Sequence, residues 1–313
     1  MAFGTSVPLP TPPSGWFDCD YAVLRDGTLG LLRTRTDMHA EFAAWLSRAS
    51  ARGESGAPPR LNGPVRLSAF DQGGERDAIE VPRGGHFDRL VDERWLVVSA
   101  RATAGENNAR VYTAGGAVAG TFALGDGIEH VRCAPDGTIW VGYFDEGVFA
   151  GSNKDGSWPV SSAGVARFSS DGSELWRFGT KENGFAVDGV GVADCYALTL
   201  ADDTAWFCSY TDFPIVRIEH GTVRHWRNDV SGAKALAIDG DHVVLAGGYG
   251  DEAGRIALLR LGDEDAEQIG TTSIQVDRTR AYLLAGRGAT LHVVGGGTWT
   301  RLDVATFRAT LSA

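Results

Sequence analysis

The residues of this chain that could do chemistry fall into a recurring arrangement. Glu129 and His130 open a short apolar run, and Tyr143, Asp145 and Glu146 close the next, with a turn at Pro135-Asp136-Gly137 between them. Asp20, His86 and Tyr196 stand at the same distance ahead of their own Asp-containing turns, and Lys234 precedes another. Imidazole, carboxylate and phenol groups exchange protons or hydrogen-bond to polar ligands. His130, His86, Glu129 and Tyr143 are therefore the candidate catalytic groups. Two imidazoles and a carboxylate also suit a divalent metal, which makes Asp20 (or Glu129), His86 and His130 the candidate metal set. The remaining candidates, as ligand-binding groups, are Asp20, Arg101, Asp145, Glu146, Tyr196, Tyr210, Asp212, Lys234, Tyr249 and Asp251.

What must position these residues is a strand–turn–strand unit. "DGIEHVRCAPDGTIWVGYFDEG" is its clearest copy. "FDCDYAVLRDGTLGLLRTR", "GGHFDRLVDERWLVVSAR", "ADCYALTLADDTAWFCSY", "SGAKALAIDGDHVVLAGG" and, most weakly, "TSIQVDRTRAYLLAGRG" repeat it. Two further strand-like runs follow most copies, as in "AGVARFSSDGSELWRFG" and "PIVRIEHGTVRHWRN". Units of four short antiparallel strands, repeating every roughly 40–50 residues, are the signature of a β-propeller. Six copies predict six blades. A two-layer sandwich also uses short alternating strands, but it does not require one strand–turn–strand order six times over.

Propeller topology orients the candidates. An inner strand beginning at one mouth of the central channel returns, through its hairpin, to that mouth. His130 is therefore expected to face Tyr143, Asp145 and Glu146. Aligning the turns makes Asp20, His86, His130 and Tyr196 equivalent. "YFDEG", "SYTDF" and "GYGDE" repeat an aromatic residue followed by acids at the returning ends.

Composition narrows the function. Lys and Arg number 29 against 40 Asp and Glu, a net charge of −11. Without a basic block, nucleic acid is a poor partner. No apolar run is long enough for a membrane span, and the N-terminus lacks the pattern of a signal peptide. Cytoplasmic location is the expectation. The four cysteines form no CxxC pair and are expected to be free thiols, Cys19 and Cys195 in the channel and Cys133 and Cys208 in the core. One domain is expected over residues 1–313, with a helical insertion in the first blade at about 37–53 and a loop insertion at about 150–162. Asp37 or Thr36 caps the helix, whose Met38, Phe42, Trp45 and Leu46 are expected to pack on the propeller.

Through "PDGTIWVGY", "RDGTLGLL" and "IDGDHVVLAGG", the chain resembles bacterial six-bladed propellers of the gluconolactonase-like and NHL-like groups. The resemblance implies the architecture and is nearly silent on function. Gluconolactonase-like sites place Glu, Asn and Asp around a central metal; no Asn stands at the matched inner-strand positions here, so that activity is not implied. A Lys-Ser/Thr phosphate loop and a Gly-x-Ser-x-Gly elbow are also missing. The expectation is a small polar ligand at the mouth, with acid/base or metal-assisted lyase or hydrolase chemistry open to it and the cofactor unspecified. A protein-binding scaffold using the acidic face is the alternative. The plainest reading is a polar, hydrated channel wall with no ligand at all.

Overall fold

The computed structural model describes residues 4–52, 59, 63–103, 105–277 and 280–311. Six four-stranded antiparallel sheets follow one another along the chain. Blade one comprises Phe17–Val23, Leu29–Thr34, Val65–Asp71 and Gly74–Val81. Blade two is His86–Arg89, Trp95–Val98, Ala109–Tyr112 and Val118–Phe122. Blade three is Ile128–Cys133, Ile139–Tyr143, Val165–Phe168 and Glu174–Arg177. Blade four is Asp194–Ala201, Thr204–Tyr210, Ile215–Glu219 and Thr222–Trp226. Blade five is Ala235–Asp239, His242–Ala246, Arg255–Leu261 and Ala266–Ser273.

Blade six joins both ends of the chain. Leu283–Arg287, Thr290–Gly295 and Thr298–Asp303 are completed by the N-terminal strand Thr5–Pro8, antiparallel to Thr298–Asp303. The sixth sequence copy is thus out of register. Its first residues end the outer strand of blade five, and its inner strand starts only at Leu283.

Local chemistry explains the repeat. In the turns of blades one and three, the Asp26 and Asp136 carboxylates accept the backbone N–H and the hydroxyl of Thr28 and Thr138. The intervening Gly27 and Gly137 take φ of +80° and +86°, a region other residues enter at a cost. Between hairpins, the alternating apolar residues pack blade against blade. Six apolar clusters result, one at each blade interface, including Tyr143 with Leu124 and Val98 between blades two and three. The core is a ring of layers rather than one central mass, and it leaves the axis free for polar side chains.

The two ends of that axis differ. At the end away from the inner-strand starts, Gly288 N donates to Leu200 O and Ile238 N to Gly288 O, each at 2.9 Å. These bonds draw the inner strands of blades four, five and six together. Arg287 of blade six reaches the opposite side, donating to the Cys133 carbonyl of blade three and lying 3.7 Å from Asp88 of blade two. The channel therefore opens at one mouth and is closed at the other end.

The predicted helix is present as Met38–Arg52, entered through Asp37, whose carboxylate accepts the Ala40 N–H. Its apolar stripe does not pack as expected. Phe42 and Leu46 are 45% and 46% exposed, and the Phe42 ring rests on Trp45 of its own helix. The 150–162 segment carries a short helical turn at each side, Asp145–Val148 and Val160–Ala163. A second insertion, between blades three and four, contains the small hairpin Ala186–Val187 and Val190–Gly191.

Candidate functional site

The open end of the channel holds a cavity of about 370 Å³ to which every blade contributes a side chain. These are Asp20, His86, His130 with Glu129, Tyr196, Lys234 and Tyr282, in blade order, with Arg132 beneath His130 on the same strand. In blades one, three and four the inner strand shifts register where these residues begin: between Asp18 and Asp20, Ile128 and His130, and Cys195 and Ala197. A bulge re-aims side chains that strict alternation would hide. Six of the expected site residues thus share one cavity: Asp20, His86, Glu129, His130, Tyr196 and Lys234.

Burial sets their protonation. Loss of hydration pushes the Asp20 carboxyl up to about 6, against a hydrogen bond from Tyr21 N and the field of His39, which both lower it. Water reaches Asp20 from the mouth although protein surrounds it, so the shift describes its proton affinity and not a large stability effect. Glu129 is raised by the same loss of hydration, partly offset by Lys234. Asp194, beside the cavity, is lifted to about 6 by desolvation and then by Glu129. The imidazoles move the other way. Burial lowers His86, and burial with the Arg132 charge holds His130 well below the ordinary histidine range. Both are neutral near pH 7. Asp20 and Asp194, rather than the expected His130, titrate at about 6, close to neutrality.

No metal set forms among Asp20, His86 and His130. Their strands belong to three different blades, and His86 Nε2 lies 2.9 Å from the Ile128 carbonyl, an acceptor only, so this nitrogen carries the proton and has no lone pair to offer. Among the described residues no group of three or more His, Cys, Asp or Glu converges as metal ligands do.

An aromatic wall rises beside the cavity. Tyr196 and Tyr210 stack at 6.2 Å and 20°, Tyr249 donates its hydroxyl hydrogen to Tyr196 at 2.9 Å, and Phe213 touches all three. Lys234 Nζ sits 4.0 Å over the Tyr196 ring, a favourable placement for a cation. On the far side of Tyr210 lies a wider groove of about 760 Å³, walled by Phe149, Trp158 and Phe185, with Asp212 at its edge.

Other expected site residues lie elsewhere. Tyr143 is fully buried between blades two and three, its hydroxyl donating to the Leu124 carbonyl. It holds the register position of exposed Tyr210: Tyr143 pairs with Ile128, Tyr210 with Asp194. The difference is the cover, since Val160 of the long blade-three insertion packs over the cluster that contains Tyr143. Arg101 is on the rim, bidentate to Asp126 at 3.0 and 3.1 Å. Asp145 and Glu146 are exposed at the start of the turn Asp145–Val148, and Asp251 lies in Gly250–Gly254; none lines the cavity. Cys195 is buried between blades three and four, not in the channel.

Four contributors escaped the sequence reading: Arg132, Asp194, Tyr282 and Phe213. Period-two alternation from His130 does place Arg132 on the channel face. Tyr282 lies in the out-of-register sixth copy, and Phe213 ends "SYTDF" where the other copies carry the glutamates Glu146 and Glu252, so a pattern of an aromatic followed by acids passes over it.

No protein-family model and no curated protein matches the chain. Among solved structures, a chain of a mitotic checkpoint complex aligns over 94% of this chain and 76% of its own, at 10% identity and a TM-score of 0.51. The β-propeller domain of Myceliophteria thermophila Cps50 (Swd1) aligns over 96% and 100%, at 8% identity and 0.49. A candidate gluconolactonase aligns over 97% and 93%, at 12% identity and 0.45. Likeness at such identities concerns fold alone. By its own six sheets, closed by the N-terminal strand, the chain is a six-bladed β-propeller.

Proposed function

We propose that the protein binds a small polar molecule in the channel cavity, where Asp20, its carboxyl raised to about 6, can exchange a proton with it near neutral pH and Glu129 holds its proton more tightly than an ordinary glutamate. The observation that carries this reading is the convergence of charged and aromatic side chains from all six blades on one cavity closed at its inner end. A hydrated wall kept polar for solubility alone has no need to turn carboxyls, imidazoles and cations of separate blades toward one small volume. A concave site with aromatic surface and a few placed polar groups is the usual form of a small-molecule site. Proton exchange would serve an elimination or a hydrolysis, with the tyrosine wall as a platform for the ligand body.

A thermal-shift screen of small polar metabolites tests the proposal. A class of compounds should raise Tm saturably in the wild type and lose at least about tenfold in affinity in E129Q and K234M, since hydrogen bonds to charged groups contribute about 1.5–3 kcal/mol. Hits that bind both variants as well as the wild type, or a screen with no saturable hit, overturn it.

A further inference from the structure

We propose that the inner end of the cavity is an anion subsite in which Arg132 receives a carboxylate or similar small anionic group of the ligand. The inference rests on the cavity binding a small polar molecule and says which end of that molecule enters first.

Arg132 lies two residues below His130 on the inner strand of blade three and lines the cavity toward its closed end. Among the described residues no carboxylate lies within 4.0 Å of its guanidinium. Among those residues its guanidinium makes one hydrogen bond, to the neighbouring Val131 carbonyl at 2.9 Å, and its Nε is buried without a partner. The nearby acid, Asp88, is already occupied. It accepts backbone N–H groups of Arg25, Arg89 and Cys133 at 2.7 Å each, and Arg287 lies beside it. Two guanidinium groups thus share one carboxylate, leaving about one positive charge in excess at the closed end.

Burial, together with Arg287, lowers Arg132 to about 10, so it remains charged at neutral pH but under strain from lost hydration. Arg132 keeps some contact with water in the cavity, but a largely buried, incompletely paired cation still costs stability, and an apolar side chain of similar volume is often better for the fold. An arriving anion would supply the missing acceptor, and the planar fork of guanidinium donors suits a carboxylate. Asp20 and Glu129, nearer the mouth, disfavour an anion there, which orients the ligand with its anionic end inward.

The test uses the full chain with acetate as the anion and acetamide as its neutral isostere, at fixed ionic strength. Nitrogen-15 spectra of the arginine Nε–H groups, with R132K to assign the Arg132 signal, should show that signal moving saturably with acetate and not with acetamide. R132M should melt no lower than the wild type and lose the acetate effect. An unmoved Arg132 signal, or equal response to acetate and acetamide, overturns the anion subsite. So does an R132M protein that melts well below the wild type, since Arg132 would then serve the fold. Binding of polar hits from the metabolite screen that persists in R132M leaves the cavity as a site and removes only the anion subsite.

Discussion

At the scale of single residues, placement decides chemistry more than residue type does. Asp20 and Asp194 are ordinary carboxylates in sequence, yet each is raised to about 6. Such a group holds its proton more tightly in the folded chain than in the unfolded one. Its contribution to stability is therefore complete below about pH 4, the ordinary aspartate value, and is lost as pH rises through about 6. Carboxyl carbon-13 titration should show two aspartates with midpoints near 6. D20N should be at least as stable as the wild type at pH 7, with the difference vanishing toward pH 4. An Asp20 midpoint in the ordinary range contradicts the cavity description. Tyr143 is the counter-case: its place in a repeated motif points it to the mouth, and packing buries it in the core. Y143F should lose about 1 kcal/mol of unfolding free energy in a urea titration, because the Leu124 carbonyl loses its donor, while ligand binding stays unchanged.

At the scale of elements, the inner hairpins were legible because their turns and alternation are local. Asp-Gly-Thr writes its own turn geometry, and alternation gives each strand its two faces. Insertions were less legible. The helix Met38–Arg52 was correctly located from its cap and spacing, but the side of it that packs was not. Periodicity reports that an apolar stripe exists, and only contact reports whether anything covers it. Because Phe42 and Leu46 are exposed, F42S and L46S should each change stability by no more than about 0.5 kcal/mol by chemical denaturation, the ordinary range for surface positions. A loss of core size, several-fold larger, would show that the stripe packs after all.

At the scale of the whole molecule, stability depends on closing the ring. The last blade takes its outer strand, Thr5–Pro8, from the other end of the chain, and Val7 and Leu9 pack on the cluster containing Trp299 and Phe70 between blades six and one. Deleting residues 1–9 should expose the strand Thr298–Asp303 as an unpaired edge, lower the calorimetric Tm and promote association between molecules. A truncated protein that melts with the wild type would show that this closure is dispensable. By itself, the sequence determined the blade unit, its number and the equivalence of the inner-strand positions Asp20, His86, His130 and Tyr196, because these follow from turns and periodicity repeated hairpin by hairpin. It did not determine the strand that closes the ring, the closed inner end of the channel, the lone charge of Arg132 or the burial of Tyr143. Those depend on residues that meet only when separate blades come together, across distances in sequence that no local pattern records.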